Sequence, residues 1–182
     1  MTSKCKPTLP SPLGHLPAET ERDRDMAQRL NLFLATATLP YSRENAAGHI
    51  TASAFILNES RDKILLMHHA KLDRWLQPGG HCDGIEDTHF VALKEAYEET
   101  GLAHIAAISK EIFDVDIHEI PARNDTGAHL HYDIRYLFTA KEALAVPGNH
   151  ESHAVEWVSL ASAMKRSDSL ALPLSRLEGA RE

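Results

Sequence analysis

Gly80-His81-Cys82-Asp83-Gly84-Ile85-Glu86-Asp87-Thr88-His89-Phe90-Val91-Ala92-Leu93-Lys94-Glu95-Ala96-Tyr97-Glu98-Glu99-Thr100-Gly101-Leu102 sets a glycine turn, an isolated glutamate and a three-glutamate cluster within 23 of the 182 residues. On a helix, Glu95, Glu98 and Glu99 stand at i, i+3 and i+4, so their carboxylates project within an arc of roughly 100°. Like charges so close repel one another and weaken the helix unless solvent screens them. A hard, oxygen-seeking divalent cation turns that repulsion into coordination. Most glutamate runs are simply solvated acidic helix faces, so the surroundings decide the reading.

Those surroundings are ordered. Gln77-Pro78-Gly79-Gly80 punctuates the chain soon after the strand-like run Lys63-Ile64-Leu65-Leu66-Met67-His68. Asp87 or Thr88 can cap a helix that Gly101 ends. Start, stop and carboxylate face agree. The stretch resembles the Nudix box: Gly, five residues, Glu, seven residues, Arg-Glu-apolar-any-Glu-Glu-any-Gly-apolar. Gly80, Glu86, Glu95, Ala96, Glu98, Glu99, Gly101 and Leu102 fall on its defined positions without a gap, and only the arginine departs, replaced by Lys94. The flanks resemble the family as well, through Trp75 and Leu76-Gln77-Pro78-Gly79-Gly80 before the box and Glu151, six residues ahead of Trp157, after it, which extends the likeness to roughly residues 48 to 165.

The resemblance implies an α/β fold of Nudix type, an α/β/α sandwich around a mixed β-sheet, and Mg²⁺-dependent hydrolysis of a nucleotide or of a nucleoside diphosphate linked to another moiety, with Mn²⁺ as a substitute. By motif position it implies that Glu98 and Glu99 are direct metal ligands and that Glu95 is a further ligand or the carboxylate that deprotonates water. The Gly79 carbonyl is a candidate oxygen ligand, because glycine lets backbone approach a site closely. Family members often add a glutamate from a later loop; Glu151 is the candidate, with His150, His153 and the strand residue Glu156 competing. Lys94 keeps the charge of the family arginine but offers one ammonium on a flexible stem in place of a planar fork. Glu86 reads as support for the loop and helix. Trp75 is placed either to stack on a base or to pack under the loop, and His81 lies close enough to the turn to meet substrate.

Around this centre the chain reads as one domain with an extension: residues 1–17 a flexible tail broken by prolines, 18–47 an N-terminal helical extension, 48–182 the Nudix hydrolase domain. Composition, 43% hydrophobic and 25% charged, is ordinary for a globular domain. A formal charge of −7 argues against generic nucleic-acid binding, which needs clustered Lys and Arg. No run approaches a membrane span and no signal-peptide core is evident, so a cytoplasmic location without membrane association is expected. Cys5 and Cys82 do not suggest a disulfide framework.

Met26, Leu30, Phe33 and Leu34 recur at helical spacing in an expected helix from about Ala18 to Ala37, a packing element or part of a homodimer contact. Strands are expected at 50–57, 63–69 and 154–158, followed by a helical tail interrupted at Pro173. Residues 112–118 and 129–138 alternate as a hairpin, which puts Asp114, Asp116 and His118 on one face of the first strand and His129, His131, Asp133 and Arg135 on one face of the second. Pairing 118 with 129 would merge them into one polar patch, with His131 as a candidate substrate contact.

The 12 histidines invite a zinc reading. Neither His68-His69 nor His129-His131 has a cysteine pair nearby, so exposed or hydrogen-bonded strand histidines are the preferred reading. Two further alternatives remain: a catalytically silent Nudix binding or regulatory domain, and an enzyme like isopentenyl diphosphate isomerase, which would need a reactive cysteine that Cys82, displaced into the box, does not match.

Overall fold

The computed structural model describes residues 13–123, 126–142, 146–150 and 152–179. Helix α1 (Glu21–Thr36) starts where Thr20 and Asp23 cap each other reciprocally, each side chain satisfying a backbone N–H that the first turn leaves unpaired. Its apolar stripe buries Ala27 and Leu30, and Phe33 stacks on Tyr132 with ring centroids 4.0 Å apart. Within the stretch expected as a flexible tail, Leu16 is buried and Leu13 packs against the same core.

Among the described residues eight strands follow: β1 (Gly48–Leu57), β2 (Lys63–His69), β3 (Arg74–Leu76), β4 (Gly79–His81), β5 (Ala106–Ala107), β6 (Asp114–Ile120), β7 (His129–Thr139) and β8 (Ser152–Ser159). They form a mixed sheet in which β1 runs parallel to β7 over its whole length and antiparallel to β4 and β2. Every residue of β1 is buried, as expected of a strand covered on both faces. Ile50, Ala52, Ala54 and Ile56 face one apolar core, shared with α1 and α2 (Thr88–Thr100). Phe55 and Leu57 face a second core, shared with α3 (Leu160–Arg166) and α4 (Asp168–Gly179). This is the α/β/α sandwich around a mixed sheet, with the N-terminal helix present.

Two expectations need correction. The hairpin is in place, but its register is shifted by two: His118 pairs with His131, Asp116 with Asp133, Asp114 with Arg135, and Ile120 with His129. A shift of two keeps every side chain on its face, so the polar patch survives with different neighbours. The helical tail breaks at Ser167, and Pro173 lies inside α4. Proline removes the N–H that would bond the Ser169 carbonyl one turn earlier. Arg135 Nη1 donates to that carbonyl at 3.0 Å instead, so a buried sheet arginine repairs the helix.

Candidate active site

Helix α2 begins at the N-cap Asp87, whose side chain accepts from the Phe90 N–H, and ends at Gly101 in the left-handed conformation, φ 67°. Val91, Ala92 and Ala96 anchor it on the sheet, which leaves the Glu95, Glu98 and Glu99 edge beside the Gly79-Gly80 turn. The turn and the helix are bonded to each other: the Gly79 N–H donates to Glu99 Oε2 at 2.8 Å. A Cβ at Gly80 would lie 2.7 Å from the Glu95 carboxylate, and one at Gly79 would lie 2.4 Å from Ser53 Oγ. Gly79 is therefore required by close approach of the β1 backbone, whereas a side chain at Gly80 would push the end of the Glu95 side chain aside.

The three carboxylates differ in exposure. Glu99 is buried, Glu95 is half-buried and Glu98 is exposed. Lys94 Nζ lies 2.7 Å from Glu95 and 3.2 Å from Glu98, and the Glu95 bond, then the Glu98 bond, hold its ammonium pKa above the ordinary value. The lysine thus stands as a cation between two of the acids. A hard donor set of clustered carboxylates beside a backbone turn fits Mg²⁺ or Mn²⁺.

On the opposite side of β4 the sheet presents three lateral rows. His118, His131 and His49 form the first; Asp116, Asp133, Thr51 and His81 the second; Asp114, Arg135, Ser53 and Gly79 the third. Arg135, fully buried, bonds Asp133, Asp114 and Asp116 at 2.9, 3.1 and 3.0 Å. Arg22 from α1 adds bonds to Asp114 and Asp116 at 3.0 and 2.8 Å, and Arg176 from α4 pairs with Asp23. Thr51 and Ser53 donate to Asp133 at 3.1 and 2.7 Å. Burial alone would raise the Asp116 pKa, but the His118 hydrogen bond and the charges of Arg135 and Arg22 carry it well below the usual carboxylate range. At Asp114 burial wins over the same arginines, and its pKa is raised.

The histidines of the first two rows are crowded. His81 and His131 are pushed down to about 4 and about 3, chiefly by burial and then by neighbouring positive groups. Burial also lowers His49, against the pull of the Asn45 backbone, and neither of its ring nitrogens makes a hydrogen bond of good geometry. Burial, then the charges of Asp133, Asp83 and Glu95, push the Cys82 thiol up to about 12. A neutral thiol is no proton shuttle, which counts against the isomerase-like reading.

Of the remaining sequence candidates, Trp75 is half-buried, with His68 stacked on it at 5.1 Å and the Arg166 guanidinium over its ring at 4.3 Å. Packing against neighbours already occupies much of that indole. Glu156 is exposed on β8 and lies 3.4 Å from Arg166. Glu151 lies outside the described residues. The sequence reading did not single out His49, nor the forked pair between Arg43 and Asp83, both bonds 2.7 Å. Residue types alone gave no sign of either, because both depend on which strands and loops meet.

A NUDIX domain family model matches residues 48–175. A curated protein from Lactococcus lactis subsp. cremoris (strain MG1363), named "Probable DHNTP pyrophosphohydrolase", is 32% identical over 95 residues, covering 51% of this chain and 55% of that protein. The chain thus spans about half the length of the curated relative it matches. Among solved structures, a C. elegans Ap4A hydrolase binary complex is similar with TM-score 0.56 at 20% identity, over 72% of this chain and 98% of that one. The E. coli dihydroneopterin triphosphate pyrophosphohydrolase gives 0.58 at 14%, over 70% and 92%. A MutT protein from Methanosarcina mazei Go1 gives 0.56 at 19%, over 74% and 96%. At these identities the solved structures show a shared fold.

Proposed function

The chain belongs to the NUDIX family, and from that premise we propose that it hydrolyses the diphosphate linkage of a nucleotide, or of a nucleoside diphosphate joined to another moiety, with Mg²⁺ as cofactor and Mn²⁺ as substitute. The observation that carries this reading is the bond between the glycine turn and the carboxylate helix, Gly79 N–H to Glu99 at 2.8 Å, which holds the box together as one surface. When bound, the metal ion supplies positive charge to the phosphoryl oxygens and so lowers the barrier to attack. Glu98 and Glu99, with the Gly79 carbonyl, are the proposed ligands. Glu95 is the proposed base or further ligand: it takes the proton of the attacking water as the new P–O bond forms and the bridging P–O bond breaks. Lys94 keeps that carboxylate in place. Glu151 is proposed as an additional carboxylate, and Trp75, His81 and His131 as substrate contacts.

The same reading takes residues 18–47 as an extension to a hydrolase domain at 48–182. Self-association through α1, where Leu32 is 63% exposed, is part of the proposal, and light scattering on the purified protein tests it. No described helix is long and apolar enough to cross a membrane; a cytoplasmic location is proposed with the rest. The deciding experiment is a hydrolysis panel with Mg²⁺ and with Mn²⁺. It includes nucleoside triphosphates, dinucleoside polyphosphates, ADP-ribose, sugar nucleotides, coenzyme A and, because relatives carry the name, dihydroneopterin triphosphate. Metal-dependent cleavage of at least one compound is expected, to pyrophosphate and a monophosphate from a triphosphate, or to two phosphorylated fragments from a compound whose diphosphate joins two moieties. Tight substrate binding without turnover across the panel would establish the silent binding domain instead.

A further inference from the structure

We infer that His49, His129 and His131, with His81 beside them, form a binding site for a borderline divalent transition ion of the Zn²⁺ type, separate from the glutamate face of α2. The three rings come from two strands that run parallel, with His49 opposite His131 and His129 two residues earlier on the same face. One nitrogen from each lies within 4.8 Å of the others. Tetrahedral ligands at a Zn–N distance of ~2.1 Å stand roughly 3.4 Å apart, so side-chain rotations that move each ring by about 1 Å or less would close the site. His81 arrives on β4 opposite Thr51, and its ring centroid lies 5.0 Å from that of His49 and 5.1 Å from that of His131. It is the natural fourth donor.

Three features argue against a chance gathering of strand histidines. His49 is only 3% exposed, yet neither of its ring nitrogens makes a hydrogen bond of good geometry, the Asn45 backbone being the partner within electrostatic reach, and Nε2 of His131 is buried without one. Buried polar atoms are almost always satisfied, and an ion would satisfy these. His129 Nδ1 lies 2.9 Å from the Gly127 carbonyl. A carbonyl only accepts, so the proton sits on Nδ1 and the Nε2 lone pair is left for a metal, the usual outer-shell arrangement of a ligating imidazole. One ring farther out, His118 lies 5.6 Å from His131 by centroids and bonds Asp116 at 3.1 Å, which places a carboxylate near the added charge. Imidazoles select Zn²⁺ and its first-row neighbours over Mg²⁺, so the two sites should not compete for one ion.

Untagged full-length protein, stripped with a chelator, is titrated calorimetrically with Zn²⁺, and Co²⁺ is added in parallel to read the coordination geometry from its visible spectrum. Expected are about one Zn²⁺ per chain, a tetrahedral Co²⁺ spectrum and a metal-dependent rise in Tm. All three should persist in Glu98→Gln. In His129→Gln and His49→Gln the affinity should fall by more than the roughly 10- to 100-fold that loss of an outer-shell partner costs. His49 is buried and its variant can fail to fold; the half-buried His129 then decides alone. Absence of Zn²⁺ binding, affinity unchanged in His129→Gln, or affinity lost in Glu98→Gln would each overturn the inference.

Discussion

Two groups of carboxylates lie on either side of the Gly79-Gly80 turn, and they are neutralised in different ways. Behind β4, Asp114, Asp116 and Asp133 are interlocked with Arg135 and Arg22, and Asp23 with Arg176. Rigid guanidinium forks take up the carboxylate oxygens in fixed directions. In front of β4, Glu95 and Glu98 share one lysine, which reaches them along a flexible stem. Ser53 joins the two regions, since its hydroxyl donates to Asp133 at 2.7 Å and its Oγ is what a side chain at Gly79 would strike. A carboxylate group matched by built-in arginines is a structural knot, whereas one left to a mobile ammonium is arranged for an exchangeable cation. Acidic residue counts do not separate the two; the partner does.

The knot should respond most strongly to mutation. Arg135→Met keeps the length of the side chain but leaves the buried Asp114 and Asp133 and the half-buried Asp116 short of a cation and takes the Arg135 donor from the Ser169 carbonyl, so a loss of about 3–5 kcal/mol is expected. Chemical denaturation would measure it. A loss under about 1 kcal/mol would mean that the knot contributes little and that the comparison is wrong.

On the helix, Glu98→Gln and Glu99→Gln should each lower turnover ~10²-fold or more at limiting Mg²⁺ while the denaturation midpoint hardly moves. Glutamine keeps the shape, and its amide oxygen can still accept from the Gly79 N–H. Turnover at the wild-type level in both variants would remove these residues from the metal site.

The additional carboxylate sharpens the contrast, since Glu156 is already paired with Arg166 on β8. Glu151→Gln should reduce kcat ~10²-fold or more if Glu151 is a base and less if it only assists metal binding, whereas Glu156→Gln should act mainly on stability. The reverse pattern at saturating metal and substrate would move the role onto the strand.

Acid titration tests the knot without altering the reaction. Asp23 and Asp116 have folded pKa values below the ordinary carboxylate range. Their stabilisation is complete above the unfolded value, near 3.8 at both positions, and is lost as pH falls through the folded values. Asp114 is shifted the other way and offsets part of that loss. Stability should therefore decline below about pH 4, and Asp116→Asn should flatten the decline. An unchanged slope in that variant would exclude Asp116 as its source.

Much of this layout was legible in the sequence, for reasons that particular residues make clear. Glu95, Glu98 and Glu99 lie on one continuous helix between the Asp87 cap and the Gly101 stop, where spacing along the chain is spacing in space. The alternation from His129 to Arg135 fixed which face those side chains share. Their partners could not be read in the same way, because a shift of two in strand register preserves every face while changing every neighbour. The parallel pairing that sets His49 against His131 joins residues far apart in sequence, and the repair of α4 by Arg135 needs two elements to meet. Pro173 looked like a helix end because the donor that compensates for it comes from the sheet.

The smallest expected effect concerns Lys94, where the two kinds of neutralisation can be exchanged directly. Lys94→Ala removes the ammonium that lies 2.7 Å from Glu95 and 3.2 Å from Glu98, so Glu95 loses its anchor and kcat should fall by roughly tenfold, about 1.4 kcal/mol in the barrier. Lys94→Arg installs a fork like those of the knot, able to contact both glutamates at once, and should match or exceed wild-type turnover. The split between kcat and KM separates orientation from metal recruitment: lost orientation lowers kcat at saturating Mg²⁺, whereas a change in metal affinity alone disappears once Mg²⁺ is in excess. Alanine as active as wild type at every Mg²⁺ concentration would show that the lysine only screens charge. A kcat lowered by arginine would show that a rigid cation hinders the glutamates, and that the mobility of the ammonium is itself what the catalytic face needs.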